Sequence, residues 1–127
     1  MKQISIQTTS QTPIYQQIFD QLSSQILNGD LKPDTPLPSI RGMAKELRVS
    51  IITIKKTWEL LERNDFIYTL SGKGSYVQRN TKDKLETKKI DTIKKSLQQS
   101  IDLSHKMDIS KQQLLDILSD LYNKSVK

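Results

Sequence analysis

The sequence contains no cysteine and a single histidine, His105. Without thiols there is no disulfide and no thiolate metal site, which fits a reducing compartment, and the cytoplasm is the expected location. One histidine and scattered carboxylates are too few for a metal sensor, so no metal or other cofactor is expected. No serine sits in a nucleophile elbow, and His105 falls near the end of a helical pattern, where an imidazolium suits the helix dipole. An enzyme is therefore not expected. No apolar run approaches the length of a membrane span. Met1-Lys2-Gln3-Ile4-Ser5 has no apolar stretch behind its charge, so neither membrane association nor a secretory signal is expected. Aromatic residues make up only 6% and hydrophobic residues 35% of the 127 positions. A chain of this size can bury one modest core, and burial at a subunit contact would add to it.

What the chain has is positive charge, +6 in all, which points to a polyanionic partner. Residues 1–79 and residues 80–127 each hold 10 basic and 7 acidic side chains, so excess charge does not say which part meets that partner. All four arginines (Arg41, Arg48, Arg63, Arg79) lie in the first part. Their planar, five-donor head suits guanine edges and phosphates better than lysine does, which favours the N-terminal part.

The periodicity of apolar residues divides the chain into elements. Pro13 suits the first position of a helix. Ile14, Ile18, Leu22 and Ile26 then recur every four residues, up to the stop at Asn28-Gly29. Three prolines within 33–38 force an extended connector. Ser39 is placed to cap a short helix carrying Ile40, Met43, Ala44 and Leu47. Arg48-Val49 makes a turn, and Ser50 caps a third helix whose apolar face is Ile54, Trp58 and Leu61. Phe66 to Gln78 reads as a hairpin around Ser71-Gly72-Lys73-Gly74. Beyond it, Ile90, Ile93, Leu97 and Ile101 mark a long helix with a narrow apolar seam, ending near Met107-Asp108. Ser110 and Gln113 have capping-box spacing for a last helix striped with Leu114, Ile117, Leu118 and Leu121. The expected architecture is mainly α with a small β-hairpin: an N-terminal winged helix-turn-helix over residues 1–79 and a C-terminal two-helix tail over 80–127.

Several of these segments together resemble the DNA-binding domain of the GntR family of bacterial regulators. They are Pro13-Ile14-Tyr15-Gln16-Gln17-Ile18, Asn28-Gly29-Asp30-Leu31, Leu37-Pro38-Ser39-Ile40-Arg41, Met43-Ala44-Lys45-Glu46-Leu47-Arg48-Val49, Thr53-Ile54 and Gly72-Lys73-Gly74-Ser75-Tyr76-Val77. They run in one colinear order over about residues 12–79. The tail is too short for the family's larger effector or aminotransferase-like domains, and looks like the short YtrA-type subfamily. The resemblance implies a homodimeric transcription regulator, in all expectation a repressor, gripping a pseudo-palindromic duplex operator. No residue cluster marks a small-molecule effector site.

The resemblance places the second and third helices and the wing on DNA. Ser39 and Arg41 open the second helix, where free N–H groups and the dipole suit a phosphate; the plainer roles are an N-cap and a surface ion pair. The start of the third helix offers Ser50, Ile51, Ile52, Thr53, Lys55 and Lys56 to the major groove. Lys55 matches a position usually basic in the family, while Lys56 is as readily a solvated lysine. Two adjacent β-branched residues cannot both face the core, so Ile51 or Ile52 is expected to be exposed, where it could meet a thymine methyl. The alternative is that Ile52 packs on the second helix. In the wing, Gly72 permits close backbone approach and Lys73 reaches the minor groove or its phosphates; the alternative is an ordinary turn. Ile51 and Ile52 depart from the family pattern, in which polar residues or proline are common there, and so do Asp34 and Asn64-Asp65, which stand where many relatives carry glycine. In the tail, Ile90, Ile93, Leu97, Ile101, Leu114, Ile117, Leu118 and Leu121 are the expected dimer contacts, because such a seam needs a partner to cover it. They could instead fold back onto their own winged helix. The rival function is a winged helix used for protein–protein contact, with only weak, sequence-independent DNA binding.

Overall fold

The computed structural model describes residues 1–79 and 82–125. The expected domain boundary after residue 79 abuts residues outside that set. Contacts divide the chain into two compact units, Met1–Leu85 and Glu86–Lys127.

In the first unit α1 spans Ile14–Leu27, α2 Ile40–Leu47 and α3 Ile51–Arg63, followed by strands β1 (Ile67–Leu70) and β2 (Gly74–Val77). Pro13 stands one position earlier than expected, at the N-cap of α1, where its carbonyl accepts from the amides of Gln16 and Gln17. The helix ends as its residues dictate, with Gly29 just beyond it at a left-handed φ of 87°. The apolar stripe of α1 meets α3 and the hairpin: Ile18, Leu22, Ile54, Leu61, Ile67 and Val77 are almost fully buried together with Met43 of α2. Phe19 and Phe66 meet edge to face, with ring centroids 5.8 Å apart. The α3 core face has one polar member that the apolar pattern conceals, Thr57. Its hydroxyl donates back to Thr53 O at 2.9 Å and lies 3.3 Å from Tyr15 O of α1; among the described residues no buried side-chain polar atom is left without a partner.

An N-terminal arm completes this unit, and sequence periodicity gives no sign of it. Gln17, Gln21 and Gln25 stand at four-residue spacing along one face of α1. Each side-chain amide accepts from and donates to the backbone of one arm residue, and that of Gln17 also donates to Thr12 O at 2.8 Å. Gln25 pairs with Lys2 (2.8 and 3.1 Å), Gln21 with Ser5 (2.8 and 2.6 Å), and Gln17 with Gln7 (2.8 and 3.0 Å). Three primary amides thus imitate the edge of a strand. They hold the arm so that Ile4 enters the core.

The second hidden feature is the proline-rich connector. Leu37 donates to Ser75 O, Val77 donates to Thr35 O and Asp34 donates to Val77 O, at 2.8–2.9 Å. The connector therefore lines β2 on the side away from β1, where Ile67 pairs with Val77 and Leu70 with Gly74. Asp34 adopts a φ of 64° and Asp65 one of 59°. Both aspartates take the left-handed conformation for which glycine is the usual residue.

The second unit holds most of α4 (Lys82–Lys106) and α5 (Lys111–Lys124). Between them Asp108 turns left-handed at φ 56° and Ile109 donates to Ser104 O at 2.8 Å, closing the end of α4. The capping box forms as its spacing indicates: Gln113 N donates to Ser110 Oγ and Ser110 N donates to Gln113 Oε1. The apolar seams of both helices lie open. Ile93 is 60% exposed and Leu97 41%, Ile90 and Ile101 are also exposed, and so are Ile117, Leu118 and Leu121; only Leu114 is half-buried.

Candidate nucleic-acid interface

Helices α2 and α3 are joined by a tight turn that Arg48 makes possible by taking φ 57°. Each starts at a serine. Ser39 Oγ accepts from Gly42 N at 3.0 Å and Ser50 Oγ from Thr53 N at 3.0 Å. Gly42 leaves room for the first cap, since a Cβ built there would lie 2.9 Å from Ser39 Oγ and shift it. Ser39 is thus an N-cap and also exposed, so capping does not consume its availability. Each cap satisfies one of the several amides a helix start leaves free, and the remainder, with the positive end of the dipole, face outward.

Around these starts stand the expected cations. Arg41, Lys55, Lys56 and Lys73 are exposed, and none makes an ion pair among the described residues. Lys56 has an added structural partner: its Nζ lies 4.0 Å from the centroid of the Tyr15 ring. Thr53 is half-buried and its hydroxyl is engaged with Ser50 Oγ at 2.7 Å, so of the α3 group it is the one most absorbed in local structure. Ile52 does not pack on α2; it is 78% exposed, against 42% for Ile51.

The wing tip carries Gly72 (φ 76°) and Lys73, whose amide closes the turn onto Leu70 O at 3.0 Å. Tyr68 and Tyr76 stack across the hairpin at 5.5 Å. Asp34 links connector and wing, since its carboxylate accepts from Tyr68 OH at 2.8 Å and from Arg79 Nη2 at 2.9 Å. Those bonds, that of Tyr68 first, hold the Asp34 carboxyl below the usual carboxylate range, and the same contact pushes the Tyr68 phenol up. The connector reaches Ser39, the N-cap of α2, two residues after Leu37, which is bonded to Ser75 of β2. The wing and the start of α2 are therefore tied through one short backbone ladder. This coupling, with Thr57 and Tyr15, is what residue patterns left unread. The one available signal for it was Asp34 in a position that calls for glycine.

A three-helix core, a capped helix-turn-helix and a two-stranded wing define a winged-helix DNA-binding protein. The family model for the bacterial regulatory proteins of the gntR family matches residues 14–77. The chain is 35% identical to the HTH-type transcriptional repressor YtrA of Bacillus subtilis over 93% of its own length and 91% of that protein's. Among solved structures, a transcriptional antiterminator from Listeria monocytogenes superposes with a TM-score of 0.72, at 29% identity over 96% of this chain and 90% of that one. The DNA-binding domain of AraR, in complex with operator ORR3, does so with a TM-score of 0.50, at 28% identity over 60% of this chain and 92% of that one. This chain belongs to the gntR family and is a DNA-binding transcription regulator, not an enzyme. Among the described residues no helix is long and apolar enough to cross a membrane.

Proposed function

We propose that the protein is a cytoplasmic, homodimeric repressor that grips a pseudo-palindromic operator, with residues 1–79 as its DNA-binding domain and 80–127 as its dimerising tail. The observation that carries the DNA-binding surface is the exposure of two capped helix starts beside unpaired cations. In this arrangement Ser39 and Arg41 hold a phosphate or guanine edge at the start of α2. Ser50, Ile51, Ile52, Thr53, Lys55 and Lys56 enter the major groove. Gly72 and Lys73 of the wing take the adjacent backbone or minor groove. The relative YtrA is named a repressor, and the AraR domain was solved on an operator; both support the same role here.

Dimerisation is supported by the open seams of α4 and α5. Ile90, Ile93, Leu97, Ile101, Leu114, Ile117, Leu118 and Leu121 are apolar and largely uncovered in the single chain. Burying an aliphatic side chain contributes about 1.5–3 kcal/mol, so a second copy covering this set gains far more than isolated exposure allows. Two-fold symmetry then presents two copies of α3 to two half-sites.

The test is selection of bound duplexes from a random pool, followed by fluorescence anisotropy on the recovered sequence. A recovered inverted repeat, bound with a salt slope of roughly −5 for about six phosphate contacts, is the expected result. Recovery of no motif, with equal affinity for all duplexes, would refute specific operator binding and favour a protein–protein module.

A further inference from the structure

We propose that Ile52 is a specificity-determining residue that reads the 5-methyl group of one thymine in each operator half-site. The assignment rests on the operator-binding role proposed above and names the chemistry by which α3 selects sequence.

Position singles out Ile52. At about 100° per residue, the buried side chains Ile54, Thr57, Trp58 and Leu61 centre on one line along α3, and Ile52 stands roughly 170° from it. It is the outermost side chain of the first turn, 78% exposed. Ile51 lies only roughly 70° from the same line and is less exposed. Neither the core nor α2 accounts for an isoleucine at position 52, where water would favour a polar residue. Lys55 and Lys56 follow one turn later and Ser50 precedes it, so the apolar tip is set among groups suited to a polyanion.

The side chain's chemistry selects the base. Isoleucine neither donates nor accepts, so in a major groove it can gain only from apolar surface, and the thymine methyl is the sole such group that unmodified base pairs present there. Facing a cytosine amino group or a guanine carbonyl, the same side chain strips water without replacing its hydrogen bond. Thymine is thus favoured by attraction and the alternatives are disfavoured by desolvation. β-Branching leaves Ile52 one dominant rotamer in a helix, so little conformational freedom is lost when it docks.

The experiment uses the full chain and the duplex recovered by selection, resynthesised with deoxyuridine in place of each thymine in turn. One position per half-site should respond. Removing its methyl should weaken the parent protein about fourfold, and about fifteenfold when both half-sites are changed, the equivalent of one buried methyl each. Ile52→Ser should bind the thymine and deoxyuridine duplexes equally, whereas Ile52→Val should retain most of the discrimination. Unchanged melting of both variants shows that the fold is intact, as expected for an exposed site. The proposal is overturned if the parent tolerates deoxyuridine at every thymine, or if Ile52→Ser keeps the full penalty. Either result leaves operator binding itself standing. Failure to recover any motif removes both together.

Discussion

Replacing Gln25 by alanine tests whether the amide ladder holds the N-terminal arm. Gln25 is 6% exposed, and its amide makes two hydrogen bonds to Lys2, of 2.8 and 3.1 Å. Each net bond contributes about 0.5–1.5 kcal/mol. Lys2 is exposed, so its freed N–H and C=O find water, and the lower half of that range applies: about 1–2 kcal/mol for the pair. The upper bound is set by Ile4, which is buried. Complete release of the arm would add the exposure of that side chain, about 1.5–3 kcal/mol. Gln21 and Gln17 still hold Ser5 and Gln7, so the arm should stay attached and the smaller figure should be observed. For a domain of this size that corresponds to a fall in Tm of about 5–12 °C, measured at one protein concentration because the proposed dimerisation would link stability to it. Hydrogen exchange should show the Ser5 amide still protected in Gln25→Ala and exposed in the triple replacement of Gln17, Gln21 and Gln25. If Gln25→Ala melts with the parent protein, and the triple variant leaves Ser5 protected, the ladder does not hold the arm.

Three further outcomes are expected. Arg41→Ala should leave melting unchanged, since Arg41 is exposed and makes no ion pair among the described residues. It should weaken operator binding by roughly 1–3 kcal/mol if Arg41 reads a guanine; full affinity by anisotropy for both Arg41→Ala and Lys55→Ala would contradict the proposed docking. Leu97→Glu places a charge in the α4 seam and removes burial worth about 3–6 kcal/mol over two copies. Sedimentation should find monomer at concentrations where the parent is dimeric, and a persistent dimer would place the interface elsewhere. For Asp34 the folded carboxyl titrates below the unfolded value of about 3.9, chiefly because Tyr68 and then Arg79 donate to it. Its stabilisation is therefore complete above that unfolded value and is lost as pH falls through the folded one. Tyr68 is raised by the same contact, so its share is present below about pH 10 and is lost as pH rises through its folded value. Asp34→Asn should flatten the acid limb of amide protection at Val77, whose carbonyl and N–H both meet the connector; an unchanged limb would show that the contact contributes nothing to holding the wing.

Where elements begin and end was legible from local chemistry. Serine at positions 39, 50 and 110 caps α2, α3 and α5, because a short hydroxyl reaches an amide three residues on whatever surrounds it. The apolar period located the core faces of α1 and α3 for the same reason: both signals act within a few residues. The DNA-facing candidates followed from the same starts, since an exposed helix N-terminus with nearby cations is a local arrangement.

What tertiary structure decided were the choices among residues of equal local standing. Ile51 and Ile52 are the same residue type side by side; the helical period turns Ile52 away from the core line, and the packed structure fixes how far each is uncovered, 78% for Ile52 against 42% for Ile51. Gln17, Gln21 and Gln25 read as an ordinary polar face until the arm, far off in sequence, supplies backbone groups to satisfy them. Asp34 looked like a misfit in a turn. Aspartate tolerates the left-handed conformation it takes there, and the fold gives its carboxylate two donors, Tyr68 and Arg79, more than thirty residues away. Such partners lie outside any local window. The sequence by itself determined the class of protein and its elements, and it singled out the surface proposed to meet DNA. The packing alone determined how the arm, connector and wing are tied together, because those bonds join groups that become neighbours only once the chain is folded.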